Sequence, residues 1–332
     1  MKPSETIVDS FGRVHDYLRI SLTDRCNLRC TYCMPEEGIV LREKSEFMTS
    51  EEIVEIATTF VQMGVKKIRL TGGEPLIKKD IVNILTQLSQ LPIELTLTTN
   101  AVLVDRYIET FKNVGIKSLN VSLDSLKSER MNAISRRDCF DRIMANIQLL
   151  LQSEIAVKLN VVLMKGVNDD EIIDFVEFTK HQKIDVRFIE FMPFSGNQWD
   201  RAKTVSLQEI LNKVEVQCSS VQKLEELPNS TSRNYKIDKY EGTFGIISTV
   251  TNPFCDSCNR IRLTADGKLK NCLFSADESD LLTRLRNGED IRSSIHSAIM
   301  SKKERLAGMD SFESELGKEI FSKNRSMISI GG

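Results

Sequence analysis

The run Asp16-Tyr17-Leu18-Arg19-Ile20-Ser21-Leu22-Thr23, followed directly by Asp24-Arg25-Cys26-Asn27-Leu28-Arg29-Cys30-Thr31-Tyr32-Cys33, decides the fold. Its first half alternates, with Leu18, Ile20 and Leu22 on one face and Arg19, Ser21 and Thr23 on the other, the period-2 pattern of a strand. The same split recurs downstream. Ile68 and Leu70 oppose Arg69, Thr71 and Gly73; Leu95 and Leu97 oppose Thr96, Thr98 and Asn100; Leu119, Val121 and Leu123 oppose Asn120, Ser122 and Asp124; Val157, Leu159 and Val161 oppose Lys158 and Asn160. Strands of a parallel sheet covered on both faces read as continuous apolar runs, so these five strands keep one polar face.

Strands are predicted over Asp16–Thr23, Lys66–Thr71, Glu94–Thr99, Lys117–Leu123, Ala156–Leu163 and Asp185–Met192, and helices between them over Thr49–Met63, Lys79–Gln90, Val104–Val114, Cys139–Gln152 and Asp169–His181. Such alternation predicts a parallel sheet with right-handed crossovers. Unpaired Arg, Lys and Asp are costly in a dry interior. The polar face is therefore expected to line a hydrated lumen, giving an α/β fold with an incomplete (β/α)6 TIM-like barrel; an open sheet with one face in water is the alternative. The rhythm stops near residue 215. Beyond it, Asn234–Asp238 and Thr243–Val250 read as an antiparallel pair, followed by a second cysteine group and helices around Asp280–Arg286 and Ile291–Lys302. The division is residues 1–215 as barrel and 216–332 as a C-terminal extension packed against it.

The chain has 332 residues, with 45 Lys+Arg against 47 Asp+Glu and a net charge of −2. No global field favours nucleic acid or an anionic membrane, so any anion site is local. The N-terminus has no apolar signal core and no run of about 18 apolar residues follows, which points to the cytoplasm. Eight cysteines in such a chain are expected to be free thiols or metal ligands. Cys139 and Cys218 stand alone and read as small apolar residues.

Cys26, Cys30 and Cys33 follow the first strand at C-x3-C-x2-C spacing. Three thiolates can hold three irons of a cubane and leave the fourth open. A zinc site needs a fourth ligand, and His15, His181 and His296, the only histidines, are not adjacent in sequence. The spacing, with Tyr32 before the last cysteine, resembles the radical S-adenosylmethionine (SAM) superfamily. The resemblance implies that the open iron chelates SAM and that reduction yields a 5′-deoxyadenosyl radical. Thr71-Gly72-Gly73-Glu74-Pro75 ends the second strand; its glycines permit close backbone approach by a ligand and Glu74 can pair with an ammonium. It resembles the superfamily's site for the SAM amino group, and the same likeness assigns SAM contacts to Tyr32, Gly73, Ser122 and Met192.

Cys255 and Cys258, with Cys272 after thirteen further residues, form a second three-thiol group. A second cluster with an open iron is one reading; a zinc site or three structural thiols is the other. Arg260 and Arg262 lie two apart, so in an extended segment they project to one side and can grip phosphates. Two open-iron triads resemble the GTP 3′,8-cyclase (MoaA) family. That resemblance implies two [4Fe-4S] clusters, GTP as substrate with its purine on the second cluster, and GTP contacts from Arg19, Arg69, Thr98, Lys158, Arg260 and Arg262. It further implies attack of a C3′ sugar radical on C8 of guanine, and a product passed to cyclic pyranopterin phosphate synthase. A homodimer, a flavodoxin-like reductant and a catalytic tail at Gly331 and Gly332 follow from the same likeness. Asn100-Ala101 departs from the family's usual asparagine-glycine, and residues 276–326 carry no assigned motif. A peptide-modifying radical SAM maturase and a non-catalytic metal-binding protein remain alternatives.

Overall fold

In a computed structural model the chain is described at residues 6–34, 38 and 42–331. The strands are β1 (Tyr17–Ser21), β2 (Lys67–Thr71), β3 (Glu94–Thr99), β4 (Ser118–Ser122), β5 (Ala156–Leu163), β6 (Ile184–Glu190), β7 (Val221–Lys223), β8 (Arg233–Ile237), β9 (Thr243–Ile247), β10 (Arg260–Leu263), β11 (Lys268–Lys270) and β12 (Ser279–Asp280). The helices are α1 (Ser50–Gln62), α2 (Ile81–Leu88), α3 (Ile108–Asn113), α4 (Ser128–Ser135), α5 (Phe140–Gln152), α6 (Ile172–Glu177), α7 (Leu207–Gln217), α8 (Leu281–Arg286), α9 (Arg292–Met300), α10 (Glu315–Lys323) and α11 (Met327–Ile330).

All strands join one sheet, ordered β12-β11-β10-β1-β2-β3-β4-β5-β6-β9-β8-β7. From β10 through β9 every neighbouring pair is parallel, and only the two flanks are antiparallel. The six predicted strands occur in the predicted order. The expected pair after residue 215 is antiparallel too, as β8 and β9. These C-terminal strands do not form a layer of their own, because β9 adds beside β6 and β10 beside β1, continuing the sheet at both edges.

Alternation places the apolar parity under the helices. Leu18, Ile20, Ile68, Leu70, Leu97, Leu119 and Leu159 are fully buried against Ile53, Ile56, Phe60, Ile84 and Ile147, each such side chain contributing about 1.5–3 kcal/mol on burial. Helix α1 starts where expected: the Thr49 hydroxyl accepts from the Glu52 amide at 3.2 Å while the Glu52 carboxylate accepts from the Thr49 amide at 2.8 Å, a reciprocal cap.

Helices α7, α10 and α11 and strands β7, β10, β11 and β12 lie outside the predicted elements, and three further differences have visible tertiary reasons. The predicted helix at 169–181 is a 3₁₀ turn at Asp169–Glu171 followed by α6. Here the Glu171 carboxylate is drawn to the Ser125 hydroxyl at 2.7 Å and the Leu126 amide at 2.7 Å. Strand β9 stops at Ile247 rather than Val250, since buried Glu190 takes the Val250 and Thr251 amides at 2.7 and 3.0 Å. Helix α4 was not anticipated; its last residues Ile134 and Ser135 accept from the amides of Thr31 and Arg29 at 3.0 and 2.8 Å.

Candidate functional site

The first thiol group occupies the loop after the C-terminal end of β1. A turn closes it, with the Cys33 and Met34 amides donating to the Cys30 carbonyl at 3.0 and 2.9 Å. The Leu28 amide and the Asn100 side-chain amide donate to Cys26 Sγ at 3.4 and 3.7 Å. Burial pushes the Cys26 thiol up to about 11. Burial, together with the charges of Cys26 and Asp124, pushes Cys33 up to about 12. Without metal these thiols hold their protons, which iron displaces on binding.

The twin glycines are not set in open space. Gly72 adopts φ +148°, and a Cβ on Gly73 would lie 2.2 Å from the Arg25 carbonyl oxygen. The Gly73 and Glu74 amides donate to the carbonyls of Thr23 and Arg25 at 2.7 and 2.8 Å. The glycines thus let the β2 exit pack on the chain leading into the cysteine loop. Glu74 does not reach out for an ammonium. It is fully buried and accepts from the Leu76 amide at 3.1 Å, the Thr99 hydroxyl at 2.8 Å and the Asn100 amide at 2.8 Å, and burial holds it up to about 7. It braces the turn at Asn100-Ala101, where Ala101 has φ +62° in place of a glycine. Tyr32 donates to Asp124 at 2.8 Å; Ser122 is half-buried beside Asn160 in register, and Met192 borders a smaller apolar core around Phe194, Phe274 and Phe312.

The second group lies at the other end of the sheet. Cys255 and Cys258 precede the N-terminal end of β10, which runs parallel to β1, and Cys272 follows β11. Over a five-residue strand this separates the two groups by about 15–20 Å along the strand direction. The Leu306 amide donates to Cys255 Sγ at 3.5 Å, and Lys302 Nζ donates to Cys258 Sγ at 3.5 Å and to the Arg260 carbonyl at 3.2 Å. Burial opposes the Cys258 thiolate, but the Lys302 and Arg260 charges outweigh it and hold this thiol down. Arg13 bridges the loop to the tail segment through the carbonyls of Cys255 (2.9 Å), Glu304 (2.6 Å) and Lys303 (3.1 Å), itself paired with buried Asp9 at 2.6 Å. The segment 276–326, blank in sequence, thus supplies Lys302 and Leu306 to this site.

Among the described residues no three His, Cys, Asp or Glu side chains converge as a single-ion centre requires. Yet each group's thiols lie close enough to act on one another's charge. All six are free and partly exposed. A cubane takes each thiolate on a separate iron corner, and three free, partly exposed thiols near enough to act on one another's charge fit that demand.

Between the groups runs the polar parity of the sheet. Arg260, Tyr17 and Lys67 form one rung in register, Arg262, Arg19, Arg69 and Thr96 the next, and Thr98 pairs Asn120, which pairs Lys158. Burial holds Arg69 down to about 10, Arg262 to about 9 and, with Arg187 nearby, Lys158 to about 8. Arg69 and Arg262 are buried, as are Ser21 and Thr96, so around β1 to β3 this face is not an open watery one. Gly331 is tucked against it. Its carbonyl accepts from Arg262, its φ is +87°, and a Cβ there would meet Thr71 Oγ1 at 2.6 Å. Gly332 lies outside the described residues. Sequence reading missed Tyr17, Lys67 and Arg187; Tyr17 and Lys67 share the parity of Arg19 and Arg69, and counting by twos from these would have found them, whereas Arg187 has the opposite parity to Met192, the residue singled out on its predicted strand.

The family described as Radical SAM superfamily matches residues 20–179, and that described as Molybdenum Cofactor Synthesis C matches 184–307. The chain is 45% identical to "GTP 3',8-cyclase, mitochondrial" of Arabidopsis thaliana over 99% of this chain and 84% of that protein. It is 42% identical to "GTP 3',8-cyclase" of Peptoclostridium acidaminophilum over the whole of both. Against "Molybdenum cofactor biosynthesis protein 1" of Homo sapiens identity is 43% over 98% of this chain, which spans about half (51%) of that longer protein. Among solved structures, Streptococcus suis SuiB bound to S-adenosylmethionine superposes with a TM-score of 0.63 at 17% identity, covering 88% of this chain and 69% of that one, a likeness of fold alone. Among the described residues no helix is long and apolar enough to cross a membrane. With its two thiol groups at opposite ends of one cationic sheet face, this chain belongs to the GTP 3′,8-cyclase family of molybdenum cofactor biosynthesis, within the radical SAM superfamily.

Proposed function

We propose that the chain converts GTP to (8S)-3′,8-cyclo-7,8-dihydroguanosine 5′-triphosphate, the opening reaction of molybdopterin synthesis. The observation that carries this is the line of cations on one sheet face between two three-thiol groups. In a chain of net charge −2, such a local concentration suits a polyanion held between two cofactor sites.

Cys26, Cys30 and Cys33 would hold one [4Fe-4S] cluster and Cys255, Cys258 and Cys272 a second. When bound, the first supplies the electron that cleaves SAM to a 5′-deoxyadenosyl radical. Tyr32, Gly73, Ser122 and Met192 would contact SAM, with Gly73 contributing backbone. Arg19, Arg69, Lys158, Arg260 and Arg262 would grip the triphosphate while Thr98 lines the same pocket, and Lys67 and Arg187 share their face. Gly331, and Gly332 beyond it, would bring the tail to the substrate by way of Arg262. The residues orient the sugar and exclude water.

We read the sheet as rolled into an incomplete barrel. Arg187 on β6 acts on Arg69 on β2, four strands away, which in a flat sheet would be about 19 Å and largely screened. Residues 1–215 would form this barrel and 216–332 the extension carrying the second cluster. The eight free cysteines fit a reducing compartment such as the cytoplasm. A homodimer, a flavodoxin-like electron donor and delivery to cyclic pyranopterin phosphate synthase complete the proposal.

The test is anaerobic incubation of iron-reconstituted protein with GTP, SAM and dithionite. Formation of 5′-deoxyadenosine together with a cyclised nucleotide is expected. Deoxyadenosine with GTP intact would overturn the substrate and keep the radical class; zinc without iron or sulfide would overturn both.

A further inference from the structure

We infer that Tyr17 is a positioning residue of the phosphate site: its ring is the shared platform on which Arg19, Lys67 and Arg69 rest, and its hydroxyl donates to a phosphate oxygen of the substrate. This rests on the GTP reading above.

The argument begins with parity. Tyr17 opens β1 two residues before Arg19, so both side chains leave the same face, and its neighbours in register are Lys67 on β2 and Arg260 on β10. Arg19 Cζ and Lys67 Nζ each lie 5.5 Å from the Tyr17 ring centroid, and Arg69 Cζ lies 5.6 Å from it. One aromatic ring thus meets three cations, within the range where its negative face attracts each of them. Lys67 also has a carboxylate, Glu94, at 2.6 Å. Arg19 and Arg69 have no carboxylate within 4 Å among the described residues, and the Nε of each is buried without a hydrogen-bond partner. Like charges gathered so closely repel, and the ring, together with Glu94 beside Lys67, offsets this.

The hydroxyl supplies a second, independent observation. Tyr17 is only 9% exposed, yet its Oη has no hydrogen-bond partner among the described residues. Buried tyrosine hydroxyls normally find one. Here the neighbouring groups are cations, which offer hydrogens but no acceptor. What such a surround lacks is an anionic acceptor, and a phosphate oxygen is one. Burial pushes this phenol up, but the Arg19, Arg69 and Lys67 charges outweigh it and draw it down, as befits a strong donor.

Two variants of the iron-reconstituted protein separate the ring from the hydroxyl: Tyr17→Phe and Tyr17→Leu. Titration calorimetry with inorganic tripolyphosphate, GTP and guanosine, paired with GTP turnover, gives the readouts. Tyr17→Phe is expected to weaken GTP and tripolyphosphate about tenfold, the scale of a hydrogen bond to a charged group, and to raise KM by a like factor with kcat nearly unchanged. Tyr17→Leu should weaken both roughly a further threefold through the lost platform. Guanosine binding should not move in either variant. Wild-type affinity for tripolyphosphate in Tyr17→Phe would overturn the hydroxyl's role, and equal affinities in Phe and Leu variants would overturn the platform. Equal losses for guanosine and GTP would reduce Tyr17 to a packing residue and overturn both. If the wild type binds tripolyphosphate but ignores GTP, and Tyr17→Leu loses the former, the GTP reading fails while the Tyr17 assignment stands. Wild-type protein that binds neither anion overturns both.

Discussion

At the C-terminal end of β1, burial holds the thiols of Cys26, Cys30 and Cys33 above their ordinary range, with the carboxylates of Glu74 and Asp124 nearby adding to it. At the N-terminal end of β10, Cys258 receives Lys302 and lies beside Arg260, and its thiol is held below that range. Cys33 and Cys258 are thus displaced in opposite directions, the first chiefly by burial and the second by neighbouring cations, while burial holds Cys255 of the second triad up. A thiolate centre with carboxylates nearby is balanced by a cation, such as SAM with its sulfonium and ammonium; one with Lys302 and Arg260 beside Cys258 suits an anionic nucleotide. Under the proposed function, Glu74 and Asp124 lie on the SAM side and Lys302 and Arg260 on the nucleotide side.

The comparison is broken most sharply by removing one ligand from each side. Cys26→Ser should abolish both deoxyadenosine and nucleotide product. Cys258→Ser should abolish the cyclised nucleotide but leave SAM cleavage measurable by chromatography; identical phenotypes would mean that the two sites do not divide the work in this way.

A smaller effect is expected from Lys302→Met. Loss of a positive donor to Cys258 Sγ should make the second cluster harder to reduce by about 50 mV in an EPR-monitored titration. The first cluster should stay in place, and Lys302→Arg should restore most of the shift.

Lys158 sharpens the picture of the ground between the triads. With its ammonium held down to about 8 by burial and by Arg187, it is charged below that pH and loses its charge above it. Apparent KM for GTP should therefore rise severalfold between about pH 7 and pH 9, and Lys158→Arg, charged throughout, should flatten that rise in a steady-state pH series.

The smallest change is Ala101→Gly beside the first triad. Relief of a left-handed alanine is worth about 1–2 kcal/mol, while glycine costs about 0.5–1 kcal/mol in chain entropy and forfeits a buried methyl of about 0.8 kcal/mol. Thermal unfolding should shift by less than about 1 kcal/mol equivalent, with the first cluster's iron content unchanged.

Much of the site was legible because it follows local rules. Period-2 alternation put Arg19, Arg69, Thr98 and Lys158 on one face, and the β10 register confirmed that Arg260 and Arg262 join it. Glu74 was misread since a carboxylate after Gly-Gly can turn outward or inward with equal local ease, and only Thr99 and the Asn100 amide, from another strand, decide the matter. Gly72 and Gly73 carry a packing constraint that local sequence does not show either, since the atoms a Cβ would strike belong to Thr23 and Arg25. Lys302 gives no sequence signal, being one lysine among many until folding sets it on Cys258.

What the amino-acid order alone determined is whatever repeats within a few residues: strand parity, helix caps and thiol spacing, each governed by backbone geometry that neighbours along the chain cannot escape. Only the tertiary structure decided that β9 and β10 join opposite edges of the same sheet, that the tail's Gly331 reaches Arg262, and that Glu74 and Asp124 lie near the first thiol triad while Lys302 reaches Cys258 of the second. Those outcomes depend on contacts between residues up to some three hundred positions apart, and on burial, which strengthens charges in proportion to the water it removes.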